Sequence, residues 1–239
     1  MEIKPRPGAG HSKKIVVRKN GPYVVYGELP LVRKEQIVSE HGEPLTWRTG
    51  ETLETREPYL LCRCGHSGTA PLCDGAHTKA GFDGTESADT RPTAERQVTL
   101  PGGQGIVIKQ DIYLCTNSGF CRNRATGIQE MATQTDDIQV RTEAIGMVEH
   151  CPSGSLTYSM RDGQGDVEPD LPQQVAATTE VTWAGPIVGP LWVTGSIPIE
   201  RADGQPFETR PRVTLCRCGC SKEKPLCDGT HRGIGVSEP

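Results

Sequence analysis

The chain has few of the residues from which a large hydrophobic core is built. Aromatic residues make up 5% and hydrophobic residues 34% of its 239 positions. Small domains with cores this thin depend on a metal or cofactor for stability. No run approaches the roughly 18 apolar residues of a membrane span, and the first residues lack the apolar centre of a signal peptide. The sequence therefore predicts an unexported, cytoplasmic protein with no membrane partner.

The chain also lacks a strong charge of one sign. Its formal net charge is -4, and no basic run alternates with aromatic residues, which argues against nucleic acid as a partner. A phosphate-binding glycine loop, a nucleophile elbow and a lone cysteine paired with a catalytic histidine are also missing. We therefore expect no catalysis by side chains.

The sequence does contain ten cysteines, and most stand in tight groups with histidines. Disulfides are the alternative use of so many cysteines, but they belong mainly to exported proteins. Metal ligation therefore fits the pattern better. The chain also has 28 glycines and 19 prolines, about a fifth of all residues, which predicts a fold rich in loops.

Four candidate metal ligands recur with the same spacing in two places. Both copies follow the frame C-x-C-x8-C-x3-H, and the segments 21–31 and 189–199 upstream of them are also similar. The first copy consists of Cys62, Cys64, Cys73 and His77. The second copy consists of Cys216, Cys218, Cys227 and His231. A repeat of this length predicts two related, strand-bearing modules.

The residues after the third cysteine of each frame predict a short helix. Asp74 and Asp228 are suitable N-caps, and Gly81 and Gly233 are placed to end the helix. Such a turn would direct the histidine of each frame back towards the metal.

The repeated frame resembles the signature of the CDGSH iron-sulfur domain, the mitoNEET family, which reads C-x-C-x2-(S/T)-x3-P-x-C-D-G-(S/A/T)-H. Both copies match every fixed position, including Ser67 and Ser221. The resemblance implies one [2Fe-2S] cluster in each copy. It places the C-x-C pair on one iron and the third cysteine with the histidine on the other. The ligand pairs are then Cys62 with Cys64, Cys73 with His77, Cys216 with Cys218, and Cys227 with His231.

The resemblance also carries an expectation about architecture. Domains of this family pair as dimers through a β-rich cap, so two copies in one chain imply an intrachain pseudo-dimer and a monomeric protein. The chemistry agrees, because thiolates suit iron-sulfur clusters and an imidazole in place of one thiolate raises the reduction potential. Zinc is the alternative, since three cysteines and one histidine also bind zinc, although zinc fingers usually pair cysteines as C-x2-4-C.

Four further residues of the frames need an interpretation. Arg63 and Arg217 either donate hydrogen bonds near the cluster or are partly solvated residues of the fold, which we favour. His66 and Cys220 occupy equivalent positions in the two copies and are expected not to be ligands. Cys220 would then be an exposed thiol that is open to oxidation.

Three more cysteines lie between the two copies. Cys115 and Cys121 form C-x5-C, and Cys151 is followed by a proline. Bacterial ferredoxins wrap a cubane with C-x2-C-x2-C and a distant C-P, and Ser118 stands where the middle cysteine would be. We interpret the adjacent His150 as a residue at a helix C-terminus and not as a ligand.

The pattern after these cysteines also follows ferredoxin order. Ile138, Ile145 and Val148 form a helical stripe that ends at Cys151, and residues 156–160 predict a strand. The stretch resembles the divergent single-cluster ferredoxin domains that keep three cysteines. That resemblance implies a [3Fe-4S] cluster, or a [4Fe-4S] cluster with a non-cysteine fourth ligand. The ligands would be Cys115, Cys121 and Cys151.

Two points about this middle segment stay open. Ser118 is the nearest candidate for a fourth ligand, but a loop serine that bonds to the backbone is the simpler interpretation. The three cysteines could also be structural residues of an unrelated insert.

Together these patterns predict an α+β protein of small, β-rich domains. Residues 1–96 form the first CDGSH domain, 97–170 the ferredoxin-like domain and 171–239 the second CDGSH domain. We expect an iron-sulfur redox protein that carries electrons, or that stores and transfers labile [2Fe-2S] clusters. Its partner would be an unknown redox protein or an apo-protein that accepts clusters. The alternatives are a zinc-stabilised interaction module and an electron-delivery component of an oxidoreductase.

Overall fold

The computed structural model describes residues 12–102, 105–160 and 163–235. None of the helices in these ranges is long and apolar enough to cross a membrane. The strands are β1 (Lys14–Val17), β2 (Tyr23–Tyr26), β3 (Leu31–Val38), β4 (Pro44–Leu53), β5 (Tyr59–Leu61), β6 (Val98–Thr99), β7 (Val107–Gln110), β8 (Leu156–Ser159), β9 (Gln174–Thr182), β10 (Gly185–Thr194), β11 (Ile199–Glu200) and β12 (Arg212–Leu215). The helices are α1 (Ala76–Lys79), α2 (Thr93–Arg96), α3 (Ile128–Ala132), α4 (Ile138–His150) and α5 (His231–Ile234), with a 3-10 helix at Ile112–Leu114. This β-rich composition confirms the predicted α+β class.

Two of the three sheets combine strands from both repeats. The first sheet has the order β11-β1-β2-β5 and the second has the order β12-β10-β9-β3-β4. In the first sheet β11 of the second repeat runs parallel to β1, and Ile15 lies opposite Ile199. In the second sheet β3 of the first repeat runs parallel to β9, and Leu31 lies opposite Val175. The second repeat thus adds β11 to the first sheet, and the first repeat adds β3 and β4 to the second sheet, which confirms the intrachain pseudo-dimer.

A single hydrophobic core lies between these two sheets. Burying an aliphatic side chain contributes about 1.5–3 kcal/mol, and neither repeat buries its apolar strand residues without the other. The core includes Ile15, Tyr23, Val25, Leu31, Leu61, Val175, Leu191, Val193, Ile199 and Leu215.

The middle segment forms its own sheet, β6-β7-β8, with α3 and α4 packed on it. Asp137 begins α4, because its carboxylate accepts the backbone N–H groups of Gln139 and Val140. The helix and the following strand confirm the predicted order, but the predicted stripe is partly wrong. Val148 is buried and Ile145 packs partly buried against the core of this segment, as predicted, but Ile138 is 67% exposed and Ala144 is buried. Ile138 lies in the first turn, where the helix has not yet reached the sheet.

Two buried polar side chains attach the middle segment to the pseudo-dimer. The Arg212 guanidinium donates to the carbonyls at the end of α4, those of Val148, Glu149 and Cys151, and pairs with Glu168 at 2.9 Å. Gln36 is a second link. Its side chain donates to the Ser118 carbonyl at 2.8 Å and accepts from the backbone N–H of Val181 at 3.0 Å.

The extent of the domains stays a prediction at the boundaries after residues 96 and 170. The outer ends of the predicted domains, residues 1–11 and 236–239, lie outside the described residues.

Candidate metal centres

The four predicted ligands of the first repeat lie in two close pairs. The Cys62 and Cys64 sulfurs are 3.8 Å apart, at the end of the short loop that follows β5. The Cys73 sulfur is 3.5 Å from the Nδ1 atom of His77, one helical turn further along the chain. The strand thus supplies one pair and the start of α1 supplies the other.

The second repeat reproduces this arrangement. The Cys216 and Cys218 sulfurs are 3.8 Å apart, and the Cys227 sulfur is 3.4 Å from the Nδ1 atom of His231. Two independent loops, 154 residues apart in sequence, therefore hold the same four residue types in the same geometry.

These distances are those expected between two ligands of one metal. With tetrahedral angles and metal–sulfur bonds of about 2.3 Å, two thiolates on one metal lie about 3.8 Å apart, and a thiolate and an imidazole nitrogen about 3.5 Å. In the described part of the chain, no three histidine, cysteine or acidic side chains converge as ligands of a single ion do. Each repeat therefore presents two ligand pairs, which suits a cluster with two metal atoms.

Matching hydrogen bonds shape the loop between the two pairs. The hydroxyls of Ser67 and Ser221 donate to the carbonyls of Leu72 and Leu226, at 2.6 and 2.7 Å. These bonds cross the loop and hold the third cysteine opposite the first two. They account for the serine that is common to both frames.

The prediction that Asp74 and Asp228 are the N-caps of the short helices is wrong, because Gly75 and Thr230 take those positions. One carboxylate oxygen of Asp74 accepts from the backbone N–H of Ala76, and the other accepts from Gly68. Asp228 bonds in the same way to Thr230 and Lys222. Each aspartate therefore forms a turn just before the short helix and ties that turn to the preceding loop.

The predicted end of the second short helix is wrong. Gly233 lies inside α5, and Gly235, with a φ of 60°, follows the helix. Gly81 has the same φ of 60° after α1, as predicted.

Burial shifts the pKa values of the cysteine thiols in the two repeats to different degrees. It raises the pKa of the Cys64 thiol to about 11 and also raises the pKa of Cys73, although the backbone N–H of Gly75 opposes this second shift. Burial raises the pKa of Cys227 well above its usual value. A metal ion must therefore displace firmly held protons from these thiols.

The adjacent cysteines of the second repeat share a hydrogen bond. Donation from Cys218 lowers the pKa of Cys216 to about 6, with help from the backbone N–H groups of Ser221 and Gly219. The pKa of Cys218 is raised, because it is the donor in that bond and is buried. Backbone N–H groups directed at sulfur stabilise a thiolate, as an iron-sulfur site requires.

The two loops meet at the pseudo-two-fold axis. A Cβ atom added to Gly65 would lie 2.5 Å from the Cys218 carbonyl oxygen, and one added to Gly219 would lie 2.5 Å from that of Cys64. Real Cβ atoms do not come this close to a carbonyl, so both positions require glycine.

Arg63 and Arg217 support the loops from behind. Arg63 donates to the carbonyls of Arg18 and Gly84, and Arg217 donates to those of Gly189 and Thr178. Both arginines are buried, so the interpretation as partly solvated residues is wrong. They belong to the fold: Arg63 connects its loop to the segments at Arg18 and Gly84, and Arg217 connects its loop to β9 and β10.

The surroundings of the two histidines differ. His77 is half-buried, whereas His231 is 2% exposed. The Nε2 atom of His231 lies 3.0 Å from a carboxylate oxygen of Glu180, and Arg232 donates to the same oxygen. Glu180 is fully buried in β9. Sequence reasoning missed this contact, because only the folded sheet brings Glu180 to His231.

The three middle cysteines line one cavity. Cys115 follows the 3-10 helix, Cys121 precedes α3, and Cys151 ends α4. They border a cavity of about 310 Å³, which is at the small end of the range for cofactor pockets. Burial raises the pKa of Cys121, and the nearby charges of Cys115 and Cys151 raise it further.

Polar groups in this cavity fit a bound polyatomic group. The hydroxyl of Thr116 borders the cavity and is buried without a hydrogen-bond partner. A buried polar atom of this kind normally has a partner. Ser118 also borders the cavity.

The Thr116 part of the cavity wall lies against the segment between Cys227 and His231, and in the described residues it makes no such contact with the equivalent segment of the first repeat. A Cβ atom added to Gly229, which lies between Cys227 and His231, would meet the Thr116 carbonyl oxygen at 2.7 Å. At Gly75, the equivalent glycine of the first repeat, nothing lies within 4 Å. The middle loop therefore covers the second site.

The remaining candidate residues do not join these sets. His150 places its Nδ1 atom 2.7 Å from the Gly146 carbonyl, and its ring stacks on Phe120 with the centroids 5.8 Å apart. His66 and Cys220 are exposed.

Three cysteine-rich ligand sets in small β-rich modules define an iron-sulfur protein. Residues 20–78 and 188–232 match the family model described as an iron-binding zinc finger of CDGSH type. Residues 102–161 match the model of a divergent 4Fe-4S mono-cluster. The chain thus contains two CDGSH domains on either side of a divergent single-cluster ferredoxin domain. No curated protein and no solved structure matches it.

Proposed function

We propose that the chain is a redox protein with three iron-sulfur clusters. Each repeat holds a [2Fe-2S] cluster through three cysteines and one histidine, and the middle segment holds a three- or four-iron cluster. The ligands of the first cluster are Cys62, Cys64, Cys73 and His77. Those of the second are Cys216, Cys218, Cys227 and His231. Those of the middle cluster are Cys115, Cys121 and Cys151.

The observation that carries this proposal is the pairing of ligands. Both repeats offer one thiolate pair at 3.8 Å and one thiolate–imidazole pair at 3.4–3.5 Å. One zinc ion would draw all four ligands to one point, whereas two irons bridged by sulfide need two pairs. The geometry therefore favours a binuclear cluster over zinc.

The clusters would supply one-electron chemistry when bound. This chain's residues set the conditions for it. Thiolates and a neutral imidazole hold the irons, backbone N–H groups stabilise the thiolates, and burial limits the access of water. Such a protein passes electrons to a redox partner, or passes a labile [2Fe-2S] cluster to an apo-protein. No side chain near the ligands forms a catalytic constellation in the residues that the structure describes.

Removal of one ligand from each set tests the assignment. We expect Cys73→Ala and Cys227→Ala each to remove one [2Fe-2S] EPR signal, and Cys121→Ala to remove only the signal of the middle cluster. Cys220→Ala is the control and should leave all three signals. If Cys220→Ala removes a signal, or the three ligand variants lose the same signal, the ligand sets are wrong. Bound zinc in place of iron would favour the interaction module.

A further inference from the structure

We propose that the two CDGSH sites have different tasks: the first releases its [2Fe-2S] cluster to an acceptor, and the second retains its cluster. The inference rests on the proposed function, because it concerns the fate of clusters that these ligands would hold. It goes further in two respects. It assigns cluster transfer to the first ligand set, and it names Glu180 as a residue that makes the second site different from the first.

The first site is open on the side of its histidine. Cys73 and His77 are both half-buried, and Asp74 and Gly75 between them are exposed. In the described part of the chain no carboxylate contacts the His77 ring, and nothing lies within 4 Å of a Cβ atom added to Gly75. An acceptor protein can therefore approach the iron that this pair would hold.

The second site is covered by two elements that the first site lacks. The loop that contains Thr116 lies directly against Gly229. The hairpin of β9 and β10 extends past the site and brings Glu180 to the histidine. As a result Cys227 and His231 are each only 2% exposed. An acceptor thiol would have to displace part of the fold to reach these ligands.

Glu180 also holds the imidazole in its ligating orientation. The Nδ1 atom of His231 faces the Cys227 sulfur at 3.4 Å, while its Nε2 atom lies 3.0 Å from the carboxylate. An imidazole that donates its Nε2 proton to Glu180 keeps a lone pair on Nδ1 for a metal. Arg232 donates to the same carboxylate oxygen and so fixes the position of Glu180. Glu180 is therefore a positioning residue.

The transfer step that follows from this arrangement is a ligand exchange. Thiolates of the acceptor replace His77 first, because it is the neutral ligand and is only half-buried, and then replace the three cysteines. The cluster moves with both irons and both sulfides, and no electron is gained or lost. Of the four protons released by the acceptor's four thiols, three pass to the thiolates that remain on this chain and the fourth passes to water.

The test uses the full chain with all its clusters and an excess of the metal-free form of a plant-type [2Fe-2S] ferredoxin. We expect about half of the [2Fe-2S] clusters to be transferred in a fast phase, since one site in two is open. Loss of an outer-shell partner typically costs 10–100-fold in metal affinity, so Glu180→Gln should speed up the slow phase by about that factor. Glu200→Gln is the matched control, because Glu200 is a surface carboxylate of the same repeat that pairs with Lys14 at 2.8 Å.

A second measurement separates positioning from a general loss of structure. Glu180→Gln removes a negative charge beside the second site, so the reduction potential of that cluster should rise, while that of the first cluster stays unchanged. Cys73→Ala removes the first cluster and so leaves the second as the marked CDGSH cluster, whose loss is compared with that of the first cluster in Cys227→Ala. The marked cluster should leave in the slow phase only.

The outcomes are distinct. If the parent protein contains no [2Fe-2S] clusters, the proposed function fails. If both clusters are present but leave in one phase, or if the marked second cluster leaves faster than the first, the division of tasks is wrong. The role of Glu180 is wrong if Glu180→Gln and Glu200→Gln give the same rates and potentials.

Discussion

The two CDGSH repeats have the same ligand geometry and different surroundings. The distances within their ligand pairs agree to 0.1 Å, and the same serine and aspartate bonds shape both loops. Yet one histidine is half-buried and the other is sealed from solvent. The motif therefore determines the geometry of the ligand pairs, while the neighbouring elements determine how accessible those ligands are.

The difference originates in the strands before each motif. In the first repeat β1 and β2 are joined by a tight turn, in which the Arg18 carbonyl accepts from Gly21. In the second repeat β9 and β10 continue past the equivalent point as a longer hairpin. Ile15 and Val175 occupy equivalent positions in the two repeats, and five residues later Asn20 stands where the second repeat has Glu180. The extra length is what carries a carboxylate to one histidine only.

A second asymmetry is the link across the pseudo-two-fold axis. The Tyr23 hydroxyl of the first repeat donates to the Cys216 and Pro225 carbonyls of the second, at 2.8 and 3.0 Å. Leu191 occupies the equivalent place in the second repeat and has no such group. The first repeat therefore holds the second ligand loop through a side-chain hydroxyl, and Leu191 cannot do the same for the first loop.

We expect the largest effect at Arg212, which belongs to the second repeat and links it to the middle domain. Arg212→Ala would leave several buried carbonyls and Glu168 without their partner, and the loss of one member of a buried pair costs about 3–5 kcal/mol. We expect urea unfolding, followed by circular dichroism, to shift by that free energy. The middle-cluster EPR signal should be lost at lower urea than the first-site signal.

Arg48→Ala is the control for this variant. Arg48 forms an exposed ion pair with Glu35, and exposed pairs contribute about 0–1 kcal/mol. Equal destabilisation by the two variants would contradict the role of Arg212 as the anchor of the middle domain.

A matched pair of glycine variants sharpens the comparison of the two sites. Gly75 and Gly229 have φ values of 89° and 83°, so alanine costs about 1–2 kcal/mol of backbone strain at either position. Only at Gly229 would the methyl group also meet a carbonyl oxygen, and overpacking adds about 1–3 kcal/mol. We expect Gly229→Ala to be the more destabilising in thermal unfolding and to accelerate loss of the second cluster. Equal effects would mean that the Thr116 loop does not press on the second site.

Replacing the histidines tests whether their exposure matters. Free imidazole has a pKa of about 6.5, so protons compete with iron for the nitrogen in acid. His77→Cys should slow the loss of the first cluster below about pH 6 and lower its potential, because thiolate is anionic. His77→Cys should also weaken the pH dependence of the reduction potential. That dependence reaches about 59 mV per pH unit when one proton accompanies one electron. Voltammetry and absorbance decay measure these effects.

The effect of His77→Cys on acid loss is compared with that of His231→Cys, the same substitution at the second site. His231→Cys should change acid loss much less, because the buried ring is already shielded. If His231→Cys slows acid loss as strongly as His77→Cys, burial does not protect the second site.

The smallest expected effect concerns the metal-free chain. Burial raises the pKa of Cys73 and, more strongly, of Cys227, so the folded chain holds these protons more firmly than the unfolded chain does. The unfolded thiols ionise near pH 8.5. Stability is therefore complete below that pH and falls as the pH rises through the folded values. Thermal unfolding of the metal-free protein between pH 7 and 10 should show this decline, and Cys227→Ser should weaken it more than Cys73→Ser. A melting temperature that rises over this range would contradict the burial of these thiols.

The sequence was most informative where spacing alone decides the geometry. The C-x-C pairs and the cysteine–histidine turns form as predicted, because residues two or four apart in a tight loop have little choice of distance. The prediction that Ile138 belongs to the apolar stripe was wrong, because a single apolar residue in the first turn of a helix does not reveal whether that turn reaches the core. The burial of Arg63 and Arg217 was missed as well, since nothing in their neighbours in sequence shows that strands pass over them.

The contacts that distinguish the two sites could not be predicted from the sequence. Glu180 and His231 are 51 residues apart, and their meeting depends on the register of β9 against β10. Arg212 and α4 are more than 60 residues apart and belong to different domains. Such contacts follow from the packing of whole modules, which local patterns do not encode.

The central claim is that each chain holds two binuclear clusters and one larger cluster. The most direct test is to measure iron, sulfide and zinc per chain in anaerobically purified protein, together with EPR spectra of its oxidised and reduced forms. If the claim is correct, each chain contains about seven or eight irons and a similar amount of sulfide, and the EPR spectra show two [2Fe-2S] signals and one from a cuboidal cluster. Iron near zero with two or more zinc ions per chain would contradict it.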